Sequence, residues 1–160
     1  MSILARAAGR VQQALAAHGL DCDIRSFPEG TRTAQEAASA IGCSVAQIAK
    51  SLIFRLPERD EALLVVASGV NRVDEGKLEQ LLGQAVAKAD AAFVREKTGY
   101  AIGGVPPVGH SQQPRILLDQ DLKLHSEIWA AAGTPNAVFR LTPAELAKVT
   151  ETDYSDIRRD

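Results

Sequence analysis

Two stretches of this chain hold residue types suited to chemistry on a small molecule. The first runs Thr98-Gly99-Tyr100-Ala101-Ile102-Gly103-Gly104-Val105-Pro106-Pro107-Val108-Gly109-His110. Its four glycines and two adjacent prolines fill a segment too long for a simple turn. Gly103 and Gly104 permit positive φ and let the backbone approach a ligand closely, whereas Pro106 and Pro107 stiffen the second half of the segment. Such a loop can aim bare N–H and C=O groups at a bound molecule. It is not a phosphate-binding loop, because it lacks the Lys-Ser/Thr ending and the GxGxxG order. A plain connecting loop is the competing reading, since Gly-Pro segments often only connect.

The second stretch centres on Lys50, set in Ile48-Ala49-Lys50-Ser51-Leu52-Ile53-Phe54. A lysine with so many apolar neighbours buries its stem, and a partly desolvated ammonium is a strong local electrostatic group. The alternative is a snorkelling lysine at a helix end, where its charge complements the dipole. His110, beside the glycine-rich loop, either donates hydrogen bonds or moves a proton, or else anchors its own loop. His18 and His125 complete the histidines, and the three have no metal-binding spacing. No GxSxG elbow and no serine, cysteine or carboxylate constellation for covalent catalysis is present.

The elements that must position these residues alternate between helix and strand. Leu4, Ala7, Ala8, Val11, Ala14 and Leu15 form an apolar stripe on a helix starting near Ser2 and stopping at Gly19. Arg6, Arg10 and the lack of acids in this helix superficially resemble a mitochondrial presequence, but its stripe fits an ordinary packed helix. Cys22 to Phe27 alternates like a strand. Thr33-Ala34-Gln35-Glu36 has the form of a capping box opening a helix that Gly42 ends, and Ser44-Val45-Ala46-Gln47 repeats the device for a short helix running out near Lys50. Ser51 to Arg55 then reads as extended. The continuous apolar run within Glu61 to Ser68 suits a strand buried on both faces, which requires helices packed on the sheet. Asp74 and Asp90 cap two further helices, strands come next at Ile116 to Asp119 and Ala137 to Leu141, and Thr142-Pro143-Ala144-Glu145 opens the last helix. This predicts an α/β fold, a single domain over residues 1–160 with a mixed central sheet surrounded by helices.

Composition narrows the function classes. With 160 residues, 46% hydrophobic and 24% charged, the chain suits one globular domain. Aromatics are only 4%, so Ala, Val, Leu and Ile must build the core. A net charge of −2 argues against a broad basic groove along a nucleic acid, while leaving room for contact with one RNA end. Cys22 and Cys43 match no metal or redox spacing and read as free thiols in a reducing compartment. No apolar run approaches a membrane span, so the expected location is the cytoplasm, with neither membrane nor DNA as a partner.

Lys50 in its apolar surround, then Ser68-Gly69-Val70-Asn71-Arg72-Val73-Asp74, then Gly103-Gly104-Val105-Pro106-Pro107-Val108-Gly109-His110 together resemble the YbaK/ProX family, which includes prolyl-tRNA-synthetase editing domains. The order and spacing match across nearly the whole chain, to the ending Asp156-Ile157-Arg158-Arg159-Asp160. With no synthetase motifs, the chain is similar to free-standing members that act in trans. The resemblance implies an aminoacyl-tRNA deacylase, a hydrolase serving translation fidelity by cleaving the ester between a small amino acid and the terminal adenosine of tRNA. Lys50 falls on the family's functional lysine, and Gly103 through Pro107 on its Gly-x-x-x-Pro loop. The implied catalytic residues are therefore Lys50, Gly103 and Pro107. Gly104, Val105, Pro106, Gly109, His110, Ser68 and Gly69 would contact substrate, with Pro106-Pro107 walling a small pocket.

No cofactor or metal is called for. The expected partner is the acceptor end of an aminoacyl-tRNA, with a synthetase left open as a second. Some family members end the loop with Gly-Gln where this chain has Gly109-His110, which leaves the choice among alanine, cysteine, serine, threonine and small non-protein amino acids open. Two other functions stay in play: a non-catalytic tRNA-end or synthetase-associated binding module, and a Schiff-base enzyme using Lys50.

Overall fold

The computed structural model describes residues 3–160. Met1 and Ser2, and so the expected helix start at Ser2, lie outside the described residues, as does the side chain of Leu4. Helix α1 (Ile3–Ala17) buries Ala7, Val11 and Leu15, one face at a four-residue spacing, and ends at Gly19 with φ +78°. Strand β1 (Ile24–Ser26) is shorter than its alternating sequence suggests, because only these residues pair with a neighbour. Helix α2 (Ala34–Ile41) opens on the full Thr33/Glu36 capping box and closes on left-handed Gly42.

The Ser44 capping box is also present, but the helix it opens is only a 3-10 turn over Val45–Gln47. Strand β2 (Ile48–Leu56) begins immediately afterwards, which corrects the expectation that helix runs to near Lys50. Ile48 and Ala49 are claimed by two neighbours at once: Ala49 pairs with Ser68 on one side, and both residues pair with the strand carrying Trp129 and Ala130 on the other. Tertiary pairing overrides the local helix signal. Lys50 is a strand residue, and the helix-end reading of it falls.

Strand β3 (Glu61–Ser68) is next, then α3 (Glu75–Leu82), β4 (Ala87–Lys88), α4 (Ala91–Thr98), β5 (Arg115–Asp119), β6 (Ile128–Ala131), β7 (Ala137–Leu141), α5 (Pro143–Thr150) and β8 (Tyr154–Ser155). The sheet order is β1-β7-β6-β2-β3-β5-β8, with β4 also pairing with β2. The β2/β6, β3/β5 and β5/β8 pairs are parallel and the rest antiparallel, giving the mixed sheet. Central β3 is buried on both faces as its continuous apolar run requires. Leu64 and Val66 pack with Val11 and Leu15 of α1, while Leu63 and Val65 pack with Leu78 of α3 and Ile157. A third cluster joins Ala37 and Ala38 of α2 to Ile48, Trp129 and Val138. Among the described residues no helix is long and apolar enough to cross a membrane.

One detail of the sheet matters for function. Strand β2 pairs with β3 along Ala49–Leu56, but on its other edge β6 covers only Ile48 and Ala49, and β4 only Phe54 and Arg55. The Gly69 N–H donates to the Ile48 carbonyl. Ladder bonds alternate along an antiparallel strand, so the backbone groups of Lys50 turn toward β3 and those of Ser51 turn toward the open edge. A gap in the middle of the sheet leaves polar backbone there without a strand to satisfy it.

Candidate functional site

The loop after α4 lies across that gap, and its shape comes from its own side chains. Gly99 caps α4 with φ +84°. Thr98 accepts from the Tyr100 N–H, and the Tyr100 hydroxyl donates to the Gly109 carbonyl at 2.8 Å, tying the two ends of the loop together. Inside this tie, the Gly104 N–H donates to the Ala101 carbonyl. His110 Nε2 lies 2.6 Å from the Pro106 carbonyl oxygen. A carbonyl only accepts, so Nε2 carries the proton and leaves the buried Nδ1 bare and without a partner.

Burial pushes the His110 imidazole below the usual histidine value of 6.5, opposed by the Pro106 bond. The unfolded chain therefore takes up more protons than the folded one, and stability rises with pH. The contribution is complete above 6.5 and is lost as pH falls from there through the lowered folded value. Thermal melts of wild type stepped down from pH 7 to pH 5 should show this loss. His110→Gln, which cannot charge, should lower the melting temperature near neutrality and flatten its decline; an equally steep decline in the variant would exclude His110 as a source.

Lys50 is held from the opposite side. Its Nζ donates to the Asn71 carbonyl at 2.6 Å and more weakly to that of Gly69 at 3.5 Å. Asn71 in turn donates through Nδ2 to Asp119 at 2.8 Å and to Asp121 at 2.9 Å. Asp119, 1% exposed, also accepts from the Ser68 N–H and, through its other oxygen, from the Asp121 N–H. A buried carboxylate bonded to several donors is held in one orientation. The chain of bonds from Asp119 through Asn71 thus fixes where the ammonium sits. Desolvation lowers the Lys50 pKa from its ordinary value, with Asp119 opposing and Arg72 adding to the fall. Committed as a donor to two carbonyls, Nζ is arranged as a cation, which disfavours a Schiff base.

Lys50, Gly103 and Val105 line one cleft of about 340 Å³. The β2 residues Ile48 to Leu52 form its floor, with Trp129, Ala130 and Ala131 of β6 on one side and Arg32, Ala34 and Ala37 on another. A smaller cleft of about 270 Å³ continues along β2 past Ile53 and Phe54, sharing Ser51, Leu52, Ile102, Gly103 and Val105. Two buried side-chain groups along this floor and wall, Ser51 Oγ and Trp129 Nε1, have no hydrogen-bond partner. Buried polar atoms are nearly always paired, so orphans in a cleft mark where a ligand or water completes the set.

The other residues singled out in the sequence stand around this cleft rather than in its lining. Gly104 presses on the backbone of Thr134, and the Pro106 carbonyl holds His110. Pro107, Gly109 and His110 line a separate hollow with Ala14 and His18. The cleft wall is made by Ile102, Val105 and Trp129, not by the proline pair. Ser68 donates from its hydroxyl to the Ala46 carbonyl, and Gly69 fits where a Cβ would meet the Val45 carbonyl oxygen and the Ala34 methyl. These two residues close the end of the β2/β3 pair, and Gly69 gives Lys50 its second carbonyl. Sequence reasoning missed Arg32, Ser51, Trp129 and Asp119. None carries a local signal, since each acquires its place from strand pairing or from a loop distant in sequence. A second large cavity, of about 410 Å³, lies between β1, β6 and α5, where Asp21, Asp23, Glu127 and Glu145 face Arg25 and Arg140.

Comparison with known proteins gives a consistent set. A family model described as an aminoacyl-tRNA editing domain matches residues 28–149. The uncharacterized protein YwhH of Bacillus subtilis (strain 168) is 38% identical over 126 residues, covering 79% of this chain and 80% of that protein. A proline–tRNA ligase of Lactobacillus helveticus (strain DPC 4571) is 29% identical over 131 residues, which cover 81% of this chain but only 22% of the ligase. A crystal structure described as "a putative trans-editing enzyme for prolyl tRNA synthetase" is 45% identical and superposes with a TM-score of 0.91, covering 100% of this chain and 99% of that one.

Proposed function

Because the chain belongs to the aminoacyl-tRNA editing domain family, we propose that it hydrolyses, in trans and in the cytoplasm, the ester joining a wrongly attached small amino acid to the terminal adenosine of tRNA. The reading rests chiefly on one arrangement: a buried-stem cation and a glycine-rich loop share a cleft over an unpaired strand edge, and the floor and wall of that cleft each hold one orphaned polar group. A volume of about 340 Å³ falls within the roughly 300–1,000 Å³ of small-molecule sites.

The chemistry asks little of the protein. An aminoacyl ester is activated, so a placed water and donors facing the developing oxyanion suffice. Water attacks the ester carbonyl carbon, the oxyanion forms and collapses, and the ribose oxygen leaves with the proton. With two of its three donors directed to the Gly69 and Asn71 carbonyls, Lys50 Nζ has one left for substrate. Gly103 lets the loop lie close enough for its backbone to orient the carbonyl and the water. A ribose hydroxyl of the tRNA, as the family resemblance suggests, assists the proton transfer. A hydrophobic wall such as that of Ile102, Val105 and Trp129 distinguishes one methylene by only about 1–3 kcal/mol, so several small amino acids should be accepted with modest selectivity.

The test is a panel of tRNAs charged with alanine, serine, cysteine, threonine and proline, incubated with purified protein with and without EDTA. Release of at least one small amino acid, unaffected by EDTA, is the expected result. Binding of the charged tRNAs without release of any would replace the hydrolase with a binding module.

A further inference from the structure

We propose that Arg32 binds the 5′-phosphate of the nucleoside whose ester occupies the cleft. This rests on the proposed hydrolase function but assigns a contact that function does not include. Four observations converge on it. First, the backbone on both sides of Arg32 is pinned: Thr31 is buried and bonds through both N–H and hydroxyl to the Pro135 carbonyl, and Thr33 is the N-cap of α2 with both capping-box bonds made. Second, the aliphatic stem of Arg32 lies on Gly103, where a Cβ would come within 2.6 Å of Arg32 Cγ. The absence of a side chain at Gly103 therefore gives Arg32 its course across the loop, and the two halves of the cleft mouth meet there.

Third, among the described residues no carboxylate pairs with Arg32; Arg59, Arg72 and Arg95 also lack a salt-bridge partner, but Arg32 is the arginine that lines the cleft. An exposed guanidinium held by its stem and left without a counter-ion is set to receive one from outside, and its planar fork matches phosphate oxygens. Fourth, the lining of the cleft includes Arg32 and Lys50 and no aspartate or glutamate, in a chain whose net charge is −2. The neighbouring large cavity has four carboxylates in its lining. Positive charge is thus gathered on the side of the cleft where the orphaned Ser51 hydroxyl lies, and it favours an anionic ligand with a polar, hydrogen-bonding body. A nucleoside monophosphate unit has that chemistry: the phosphate at the exposed mouth on Arg32, the sugar and its ester deeper, toward Lys50.

The probes are adenosine 5′-monophosphate, adenosine and inorganic phosphate, titrated by NMR into wild type, Arg32→Gln and Arg32→Lys. Wild type is expected to bind the monophosphate about ten-fold or more tighter than adenosine, a preference that Arg32→Gln abolishes while adenosine affinity stays unchanged. Arg32→Lys should keep part of the preference, since it retains the charge and loses the fork. On mischarged tRNA, Arg32→Gln should raise KM and leave kcat, with a shallower salt dependence. A full monophosphate preference in Arg32→Gln overturns the assignment, as does a wild type that binds no monophosphate. Inorganic phosphate binding as tightly as the monophosphate overturns it in favour of a plain anion site. If wild type deacylates no tRNA but the nucleotide preference depends on Arg32, the hydrolase reading fails and this one stands.

Discussion

Lys50→Ala is expected to lower kcat/KM for mischarged tRNA by on the order of 10²- to 10³-fold, the usual effect of removing one group that faces a developing oxyanion in a partly desolvated site. The loss should fall on kcat more than on KM, because the interaction strengthens as charge develops on the ester oxygen. The fold should survive. Lys50 is half-buried, and its removal leaves the Asn71 carbonyl without its 2.6 Å donor, a cost of roughly 1–3 kcal/mol against a typical stability of about 5–15 kcal/mol. Lys50→Arg should not rescue activity. The site holds a compact ammonium between two carbonyls, and the guanidinium fork is larger and differently directed. Steady-state turnover, paired with a circular dichroism melt, checks both points. A folded alanine variant with unchanged turnover would remove Lys50 from the mechanism.

Gly104→Ala is expected to damage stability and activity together. Its new methyl would lie 2.8 Å from Thr134 Cα and carbonyl carbon and 3.0 Å from Thr134 N, all of them backbone atoms. That backbone cannot easily retreat. Thr134 is 4% exposed, its hydroxyl accepts from the Asn136 N–H, and Ala132 bonds to Ala137 across the same turn. Behind it, Gly133 packs against the α1 backbone, where its own Cβ would sit 3.0 Å from the Ala7 carbonyl oxygen. The strain must be relieved by moving the 101–105 segment, which displaces Gly103 from the cleft. Overpacking of this kind costs roughly 1–3 kcal/mol, a fall of several degrees in melting temperature for a chain of this size. Turnover should fall at the same time, read from the same preparations. A variant that melts like wild type and turns over normally would show that the loop can shift without consequence.

The parts of this fold that could be read in the sequence are those fixed by near neighbours in the chain. The Thr33/Glu36 and Thr142/Glu145 capping boxes, the caps at Asp74 and Asp90, and the glycine stop at Gly42 all act within one helical turn, and all are present. The apolar run of β3 was equally plain, being buried on both faces. What escaped depends on pairing between distant segments. Strands β4 and β8 have two residues each, too few to carry an alternation, and β6 reads Ile128-Trp129-Ala130-Ala131, which has no strand-like pattern. Since the open edge of β2 exists only because β6 and β4 stop short of each other, the cleft itself had no sequence signature.

The same division runs through the site. Lys50 and Gly103 were visible as an apolar-flanked cation and a flexible loop, and they share a cleft. Pro106, Pro107, Gly109 and His110 were visible for the same compositional reason, yet they face the loop itself and the first helix rather than the cleft: His110 on Pro106, Gly109 under the Tyr100 hydroxyl and against Ala14. Composition marks a segment as special without saying which of its residues face inward. Asn71 belonged to a quoted motif, but its tie to Asp119, 48 positions away, emerges only from the β3/β5 pairing.

The proposed chemistry requires the ester-bearing end of the substrate to lie over the open edge of β2. A crystal structure with a non-hydrolysable analogue, 3′-amino-3′-deoxyadenosine 5′-monophosphate carrying alanine through an amide, tests this directly. The predicted position of the amide is between Lys50, Ser51 and Gly103, with the adenosine toward the cleft mouth. The analogue bound instead in the acidic cavity beside Cys22 and Glu145, with the β2 cleft empty, would contradict it.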